Sequence, residues 1–225
     1  MMYWILFIGI AIVSYLVQAN LQSKFKKYSK QPLGSGLSGK EVAEKMLRDN
    51  GIYDVRVTST QGHLTDHYNP ADKTVNLSES VYNSPSIAAA AVAAHECGHA
   101  VQHARGYAWL EMRSKLVPLI SITSRFSTWV IILGMLTINT FPALFWVGIL
   151  MIAASALFSI ITLPVEYNAS SRALDWLRST RTLDSSQMEG ATISLRWAAR
   201  TYLVAALSAV ASVLYYVLLI LGRRD

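Results

Sequence analysis

The sequence has few charged residues and a single cysteine. Only 15% of its 225 residues are Asp, Glu, Lys or Arg, whereas about a quarter is usual for a soluble domain. Hydrophobic residues make up 52% of the chain, which excludes an intrinsically disordered protein. Cys97 is the only cysteine, so a disulfide-stabilised scaffold is excluded and a reducing compartment is favoured. This composition predicts a membrane protein.

Charged residues are absent from three long stretches, 1–23, 126–165 and 201–222. A helix needs about 20 apolar residues to cross a bilayer, so the first and third stretches each suit one helix. The middle stretch is longer and contains Asn139-Thr140-Phe141-Pro142, which predicts two helices joined by a tight turn. The alternative is that some of these segments are buried core helices of a soluble fold. We expect about four transmembrane helices, near residues 3–20, 120–138, 142–164 and 201–221.

Basic residues cluster directly after the first span, at Lys24, Lys26, Lys27 and Lys30. No basic residue precedes that span and no small-x-small cleavage site follows it, so we expect a retained anchor and not a cleaved signal peptide. The cluster predicts an outside N-terminus and a cytoplasmic side for the segment that follows. The resulting division is an N-terminal transmembrane anchor (1–23), a cytoplasmic-side domain (24–119), a transmembrane hairpin (120–165), a cytoplasmic-side segment (166–200) and a C-terminal transmembrane helix (201–225).

The segment between the first two spans has the pattern of a small α+β domain. Ser38 followed by Glu41 is a capping box that predicts a helix over 40–49. An alanine-rich helix is predicted over 86–104. Alternating residues predict three strands, at 55–60, 63–68 and 73–78, and the last is expected to be an edge strand with one wet face. The predicted fold class is therefore a mainly α membrane protein with a small α+β domain between spans 1 and 2.

The second helix of this domain contains His95-Glu96-Cys97-Gly98-His99. Two histidines four residues apart project from one helix face, where both imidazoles can bind the same zinc ion. Glu96 lies about 100° around the helix from His95, where it can act on water beside the ion as a general base. Cys97 points away from this face and is expected to pack in the core. The spacing predicts a zincin-type metallopeptidase helix.

A catalytic zinc site needs a third protein ligand. The predicted topology favours Glu166, because a membrane hairpin returns it to the face that holds the His95 helix. An acidic residue at the end of a span also requires a partner, and a cation supplies one. His103 shares the helix with His95, but a rigid helix cannot wrap a third ligand around the ion. The full set of candidates is His63, His67, His103, Glu79, Glu111, Glu166 and Glu189.

Three segments, 86–102, 66–70 (Asp-His-Tyr-Asn-Pro) and 164–170 (Pro-Val-Glu-Tyr-Asn-Ala-Ser), resemble the YugP-like family of membrane-bound neutral zinc metallopeptidases of bacteria. The resemblance covers nearly the whole chain. It implies one catalytic Zn²⁺ ion bound by His95, His99 and Glu166 in a gluzincin arrangement, similar to the heat-shock and CaaX-prenyl membrane proteases. In those relatives an aspartate commonly follows the acidic ligand by four residues. Here that residue is Ser170, so we do not assign it the supporting role of that aspartate.

These features together predict an integral-membrane zinc metalloendopeptidase of the cell membrane, a multi-pass protein with its active site on the cytoplasmic side. Glu96 is the expected catalytic residue, and Tyr167, Arg172 and His103 remain alternatives for stabilising the oxyanion. Arg172 also suits a juxtamembrane anchor. An extended substrate is expected to add to the strand at 73–78. The expected partners are membrane-associated or unfolded proteins as substrates and the lipid bilayer, and a homo-oligomer or a membrane-protein partner stays open.

Two other functions, a zinc-binding scaffold and a metal transporter, are less consistent with the sequence. A non-catalytic zinc-binding scaffold or adaptor would use a closed site with four ligands, often cysteines, and the chain has one cysteine. A metal transporter would bind its cargo near mid-membrane between broken helices, whereas His95 precedes the second span. The net charge of +6 is better explained by anionic lipid than by nucleic acid.

Overall fold

The structure is a computed structural model that describes residues 2–222, with side chains from residue 7 onward. The described chain is mainly helical and contains one three-stranded sheet. The helices are α1 (Met2–Tyr28), α2 (Gly39–Asp49), α3 (Glu79–Tyr82), α4 (Ile87–Ala104), α5 (Ala108–Leu136), α6 (Pro142–Ser179) and α7 (Ser185–Leu221), and the strands are β1 (Arg56–Thr60), β2 (His67–Asn69) and β3 (Thr74–Ser78).

Within the described residues, three helices are long and apolar enough to cross a membrane, namely α5, α6 and α7. Their most apolar stretches are only 6%, 28% and 11% buried inside the protein. Burial this low is inconsistent with core helices of a soluble fold, because apolar surface of that extent requires a partner other than water. Helix α1 is continuous over 27 residues. The count of four spans stays a prediction.

Helices α5 and α6 form the predicted hairpin, with the chain reversing at residues 137–141. Two glycines allow the helices to pack closely. A Cβ atom on Gly134 would lie 2.6 Å from Cα of Phe145, and one on Gly148 would lie 2.7 Å from the Ile131 side chain. Small residues let helix backbones approach in this way. The hairpin therefore brings the second half of α6 back beside the start of α5.

The sheet corrects one prediction about strand order. β3 lies in the centre, parallel to β1 on one side and antiparallel to β2 on the other. The expectation that 73–78 forms an edge strand with a wet face is therefore wrong. Thr74 and Ser78 of this strand are buried, and their hydroxyls are hydrogen-bonded to Asp72 and Asp66.

The predicted strand over 63–68 forms only at its end, where β2 begins at His67. The residues before it turn, with Gly62 at a φ of 105° and Leu64 at a φ of 58°. Alternating polarity over 63–66 was therefore not sufficient for a strand, since these backbone angles do not permit ladder pairing. The consequence is a short strand whose outer edge pairs with no other strand of the described chain.

Helix α4 lies in the middle of the core and positions the site. It packs against α2, α6 and α7, and its start is capped by Ser86, whose hydroxyl accepts from the Ala89 amide. The predicted capping box of Ser38 and Glu41 is present at α2. Cys97 is fully buried, with its thiol toward the Ala43 carbonyl, so its predicted packing role is confirmed.

Candidate metal centre

Three side chains from two helices meet beside the core. Nε2 of His95 lies 3.2 Å and Nε2 of His99 lies 3.5 Å from Oε2 of Glu166. The ligand atoms of all three residues lie within 4.8 Å of one another. Glu166 is only 1% exposed. Two imidazoles and a buried carboxylate thus converge on one small volume.

The spacing of these donors suits a tetrahedral zinc ion. With zinc–ligand bonds of about 2.0–2.1 Å, neighbouring donors of a tetrahedron lie about 3.3 Å apart. The two distances to Oε2 of Glu166 are close to that value. Borderline-soft zinc also accepts imidazole nitrogen and carboxylate oxygen together. The donor set therefore suits a divalent metal ion, and the two spacings to Glu166 are close to those of a tetrahedral zinc site.

The close approach of α4 to α6 explains how these residues meet. A Cβ atom on Gly98 would lie 2.6 Å from the Ala169 carbonyl oxygen, so the two backbones nearly touch there. Gly98 lies between the two histidines in sequence, and Ala169 lies three residues after Glu166. A larger residue at 98 would separate the helices and the three donors with them.

Ser170, to which we did not assign the supporting role of the family's aspartate, contacts His95. Its hydroxyl lies 3.1 Å from Nδ1 of His95, one turn of α6 beyond Glu166. A histidine that ligates a metal typically has a hydrogen-bond partner for its other ring nitrogen. The serine hydroxyl supplies this partner here without a negative charge.

His99 has a different partner on its own helix. Its Nδ1 lies 3.0 Å from Oε1 of Gln102, a side chain that is fully buried between α4 and α6. The amide nitrogen of Gln102 donates to the Val165 carbonyl at 2.8 Å and to Oδ1 of Asn168 at 3.0 Å. Gln102 therefore connects His99 to the segment of α6 that surrounds Glu166.

The second oxygen of the Glu166 carboxylate contacts a cation. Nη1 of Arg113, on α5, lies 3.1 Å from Oε1 of Glu166, and the Tyr202 side chain of α7 lies beside the same carboxylate. Oε1 thus faces a donor on α5, while Oε2 faces the histidines of α4. The single carboxylate is held from three helices.

Glu96 faces a cavity next to these residues. It is 8% exposed, and burial raises the pKa of its carboxyl to about 7, with the neighbouring Glu166 carboxylate acting in the same direction and His95 opposing it. A pKa in this range suits a group that must both accept and release a proton near neutral pH.

The cavity has a volume of about 360 Å³ and is open to solvent on one side. Strand β2 and the residues flanking it form one part of the lining, and residues of α5 and α7 form another part. The lining residues are Asp66, His67, Tyr68, Asn69, Pro70, Glu96, His99, Leu110, Arg113, Ser114, Val117, Glu166 and Tyr202. The site therefore lies between the small domain and two of the long apolar helices.

The other candidate ligands lie outside this group of donors. His63 packs against the Phe25 ring, and His103 is hydrogen-bonded to the Tyr68 hydroxyl. His67 lines the cavity but belongs to no metal-binding group in the described part of the chain. The same holds for Glu79, Glu111 and Glu189.

The three expected oxyanion donors do not line the cavity. Nε of Arg172 donates to Asn168 at 2.7 Å, and Tyr167 is 49% exposed. His103 is engaged with Tyr68. Arg113 and Tyr202, which we did not single out from the sequence, occupy the cavity wall instead.

Sequence signals for the overlooked residues were weak. Gln102 is three residues after His99 on the same predicted helix, which is a usable signal because residues three apart share a helix face. Arg113 is one of several basic residues near the second span, and Tyr202 is one of eleven tyrosines in the chain. Neither is distinguishable without the helix packing.

Comparison with known proteins agrees with this geometry. Residues 3–221 match the family described as "Putative neutral zinc metallopeptidase". The chain is 40% identical over 215 residues to a Bacillus subtilis protein named "Putative membrane protease YugP", covering 95% of this chain and 94% of that protein. No solved structure matches the chain. The match spans the small domain, the hairpin and all three candidate ligands, and the chain belongs to this family of neutral zinc metallopeptidases.

Proposed function

We propose that the protein is an integral-membrane zinc metalloendopeptidase that cleaves membrane-associated or unfolded proteins. The observation that carries this proposal is the convergence of His95, His99 and Glu166 beside a cavity that also contains the Glu96 carboxyl. Three ligands and an adjacent general base are the elements of a catalytic zinc site, which keeps one position open.

His95, His99 and Glu166 would hold one zinc ion. When bound, this ion lowers the pKa of a water molecule toward about 7 and polarises the scissile carbonyl. Glu96 accepts the proton from the attacking water and later delivers it to the leaving nitrogen of the peptide. The buried position of Glu96 raises its pKa to about 7 without a bound ion, and a bound cation would lower the pKa from that value.

Arg113 and Tyr202 are our proposed donors to the oxyanion that develops on the scissile carbonyl. Both line the cavity, and the Arg113 guanidinium is 3.1 Å from Glu166, so its charge lies close to the reacting atoms. Prepositioned donors that face the developing charge contribute strongly to catalysis in a site shielded from water. They replace Tyr167, Arg172 and His103 in this role.

The position of the cavity indicates how a substrate would bind. Strand β2 forms one wall and its outer edge is unpaired within the described sheet, so an extended peptide can add to it by main-chain hydrogen bonds. Leu110 and Val117 of α5 supply apolar contacts from another part of the lining. We therefore propose that the substrate peptide pairs with β2 and not with the strand at 73–78.

We further propose a multi-pass protein of the cell membrane with four spans and the cavity on the cytoplasmic side. The lysines at 24–30 support that side, and the exposed apolar surfaces of α5, α6 and α7 support the bilayer as a partner. A substrate segment lying at the bilayer surface would reach the wall formed by α5 and α7 directly. No observation argues for a nucleic-acid partner.

A Glu96→Gln variant tests the proposal. We expect it to bind zinc like the wild type and to lose hydrolysis of unfolded casein in detergent micelles by at least about 10²-fold, because the general base is absent. Glu111→Gln, the same change at an exposed carboxylate of α5, is the matched control and should cleave normally. Full activity of Glu96→Gln would contradict Glu96 as the general base, and a wild type that binds zinc but cleaves no casein would favour the non-catalytic scaffold.

A further inference from the structure

The hydrogen bonds behind His99 determine which of its ring nitrogens carries the proton. A neutral imidazole has one N–H donor and one lone pair, and only the nitrogen with the lone pair can bind a metal. The partner of His99 Nδ1 is the Gln102 side chain. Whether that partner donates or accepts depends on the orientation of the Gln102 amide, and the neighbours of the amide fix this orientation.

Arg172 begins the chain of hydrogen bonds. A guanidinium has donors only, and its Nε points at the Asn168 amide at 2.7 Å. The atom of Asn168 that faces Arg172 must therefore be the acceptor Oδ1. That oxygen also faces the Gln102 amide at 3.0 Å, so Gln102 has to present its NH₂ group to Asn168.

The backbone of α6 imposes the same orientation independently. The Gln102 amide group lies 2.8 Å from the Val165 carbonyl oxygen, and a carbonyl oxygen only accepts. A flipped Gln102 amide would place its oxygen against two acceptors, in a fully buried position where unpaired polar groups are costly. The NH₂ group of Gln102 therefore faces α6 and its Oε1 faces His99.

We propose that Gln102 is a positioning residue that fixes His99 in the tautomer with the proton on Nδ1. Because Oε1 of Gln102 can only accept, Nδ1 of His99 must donate, and the lone pair lies on Nε2. Nε2 is the atom 3.5 Å from Glu166. The ion-free protein thus already presents the correct nitrogen of His99 toward the candidate metal position.

His95 differs from His99. Its Nδ1 contacts the Ser170 hydroxyl, which can donate or accept, whereas its Nε2 lies 3.2 Å from Oε2 of Glu166, an acceptor that favours a proton on Nε2 before an ion binds. One tautomer of His99 is thus imposed by Gln102, Asn168 and Arg172, whereas no contact imposes a proton on Nδ1 of His95. The inference rests on the proposed zinc site, but the tautomer itself is a property of the ion-free protein.

The first test is the tautomer of His99 in the full-length, ion-free protein. Long-range ¹H–¹⁵N spectra of ¹⁵N-histidine-labelled protein, recorded above about pH 8 where an ordinary imidazole is neutral, distinguish Nδ1–H from Nε2–H. A His99→Gln sample assigns the signal. We expect the Nδ1–H form in the wild type and loss of this preference in Gln102→Met. An Nε2–H form in the wild type would overturn the proposal, whether or not the protein is a protease.

The second test compares zinc affinity in two variants by competition with a chelator. Gln102→Met keeps the shape but removes the acceptor, and we expect zinc affinity to fall about 10- to 100-fold. Gln102→Glu keeps an acceptor for His99 Nδ1, and we expect it to bind zinc more tightly than Gln102→Met. If Gln102 served packing alone, the order would be reversed, because a buried apolar Met is tolerated better than a buried carboxylate. That reversed order would refute the positioning role.

Discussion

Nε2 of His95 lies 3.2 Å from Oε2 of Glu166 although 71 residues separate them in the sequence. The contact depends on two packing relationships. Helices α5 and α6 pair closely at Gly134 and Gly148, which returns α6 to the small domain, and α4 then meets α6 at Gly98. The site is therefore built at a junction of helices and not within one compact domain.

The first prediction concerns this junction. Gly98→Ala would place a Cβ atom 2.6 Å from the Ala169 carbonyl oxygen, and the helices must separate to relieve the clash. We expect a loss of stability of about 1–3 kcal/mol and weaker zinc binding, because the donors move apart with the helices. Thermal unfolding in detergent and chelator competition measure the two effects.

Gly9→Ala is the matched control for Gly98→Ala. A Cβ atom there has nothing within 4 Å, and alanine is the better helix former. We expect wild-type stability and zinc affinity in this variant. A Gly98→Ala protein with unchanged unfolding temperature and zinc affinity would show that the α4–α6 contact does not set the donor spacing.

Local periodicity explains which parts of the site could be predicted from the sequence. His95, Glu96 and His99 lie within one helix, so helical geometry alone places them on one side. Glu166 could be placed near these residues, because a hairpin of two spans joined at a clear polar break returns the chain to the side of the membrane from which it started. These arguments need only the spacing of residues and the length of a span.

The rest depends on contacts between elements that are distant in sequence. Arg113 and Tyr202 reach the site because α5 and α7 pack beside α6, and no local pattern encodes that neighbourhood. The order of the strands could not be predicted either, since β1 pairs with β3 in the sheet although β2 lies between them in the sequence. Ser170 was set aside because it is not an aspartate, yet its hydroxyl reaches His95 at 3.1 Å.

The second prediction uses Ser170. Ser170→Ala removes the partner of His95 Nδ1, and we expect zinc affinity to fall up to about tenfold, at the low end for a supporting residue. Ser170→Asp replaces the hydroxyl by a carboxylate, which makes the imidazole a stronger ligand, and we expect zinc affinity at or above that of the wild type. Chelator competition measures both. Equal affinities in the alanine and aspartate variants would contradict the role of this contact.

The third prediction separates catalysis from binding at Arg113. Arg113→Gln removes the positive charge beside Glu166, and we expect kcat to fall about 10²- to 10³-fold with little change in KM, as for the loss of one oxyanion donor. Lys115→Gln, a loss of charge at an exposed position of the same helix, is the control and should leave kcat unchanged. A rise in KM at constant kcat would instead assign Arg113 to substrate binding.

The fourth prediction concerns the stability of the ion-free protein. Burial raises the pKa of Glu96 from 4.5 to about 7, so the folded state binds this proton more tightly than the unfolded state. The contribution of Glu96 to stability is then fully present below about pH 4.5 and is lost as the pH rises to about 7. Glu96→Gln removes the titration, and we expect the ion-free variant to be more stable than the wild type at pH 8, by up to about 3 kcal/mol. Urea unfolding at pH 5 and 8 tests this, and an equal pH dependence in both proteins would exclude Glu96 as the cause.

The fifth prediction is the pH dependence of hydrolysis. Glu96 must be deprotonated to accept a proton, so kcat/KM should fall as the pH falls through its pKa. His95, His67, Asp66 and Glu166 act on this carboxyl in the ion-free protein, and a bound cation adds a positive charge that lowers its pKa. We therefore expect the acidic limb of the zinc-loaded enzyme to lie below pH 7. Measurement of kcat/KM between about pH 5 and 9 checks the sign, since a rate that increased toward low pH would require a protonated Glu96 and a different base.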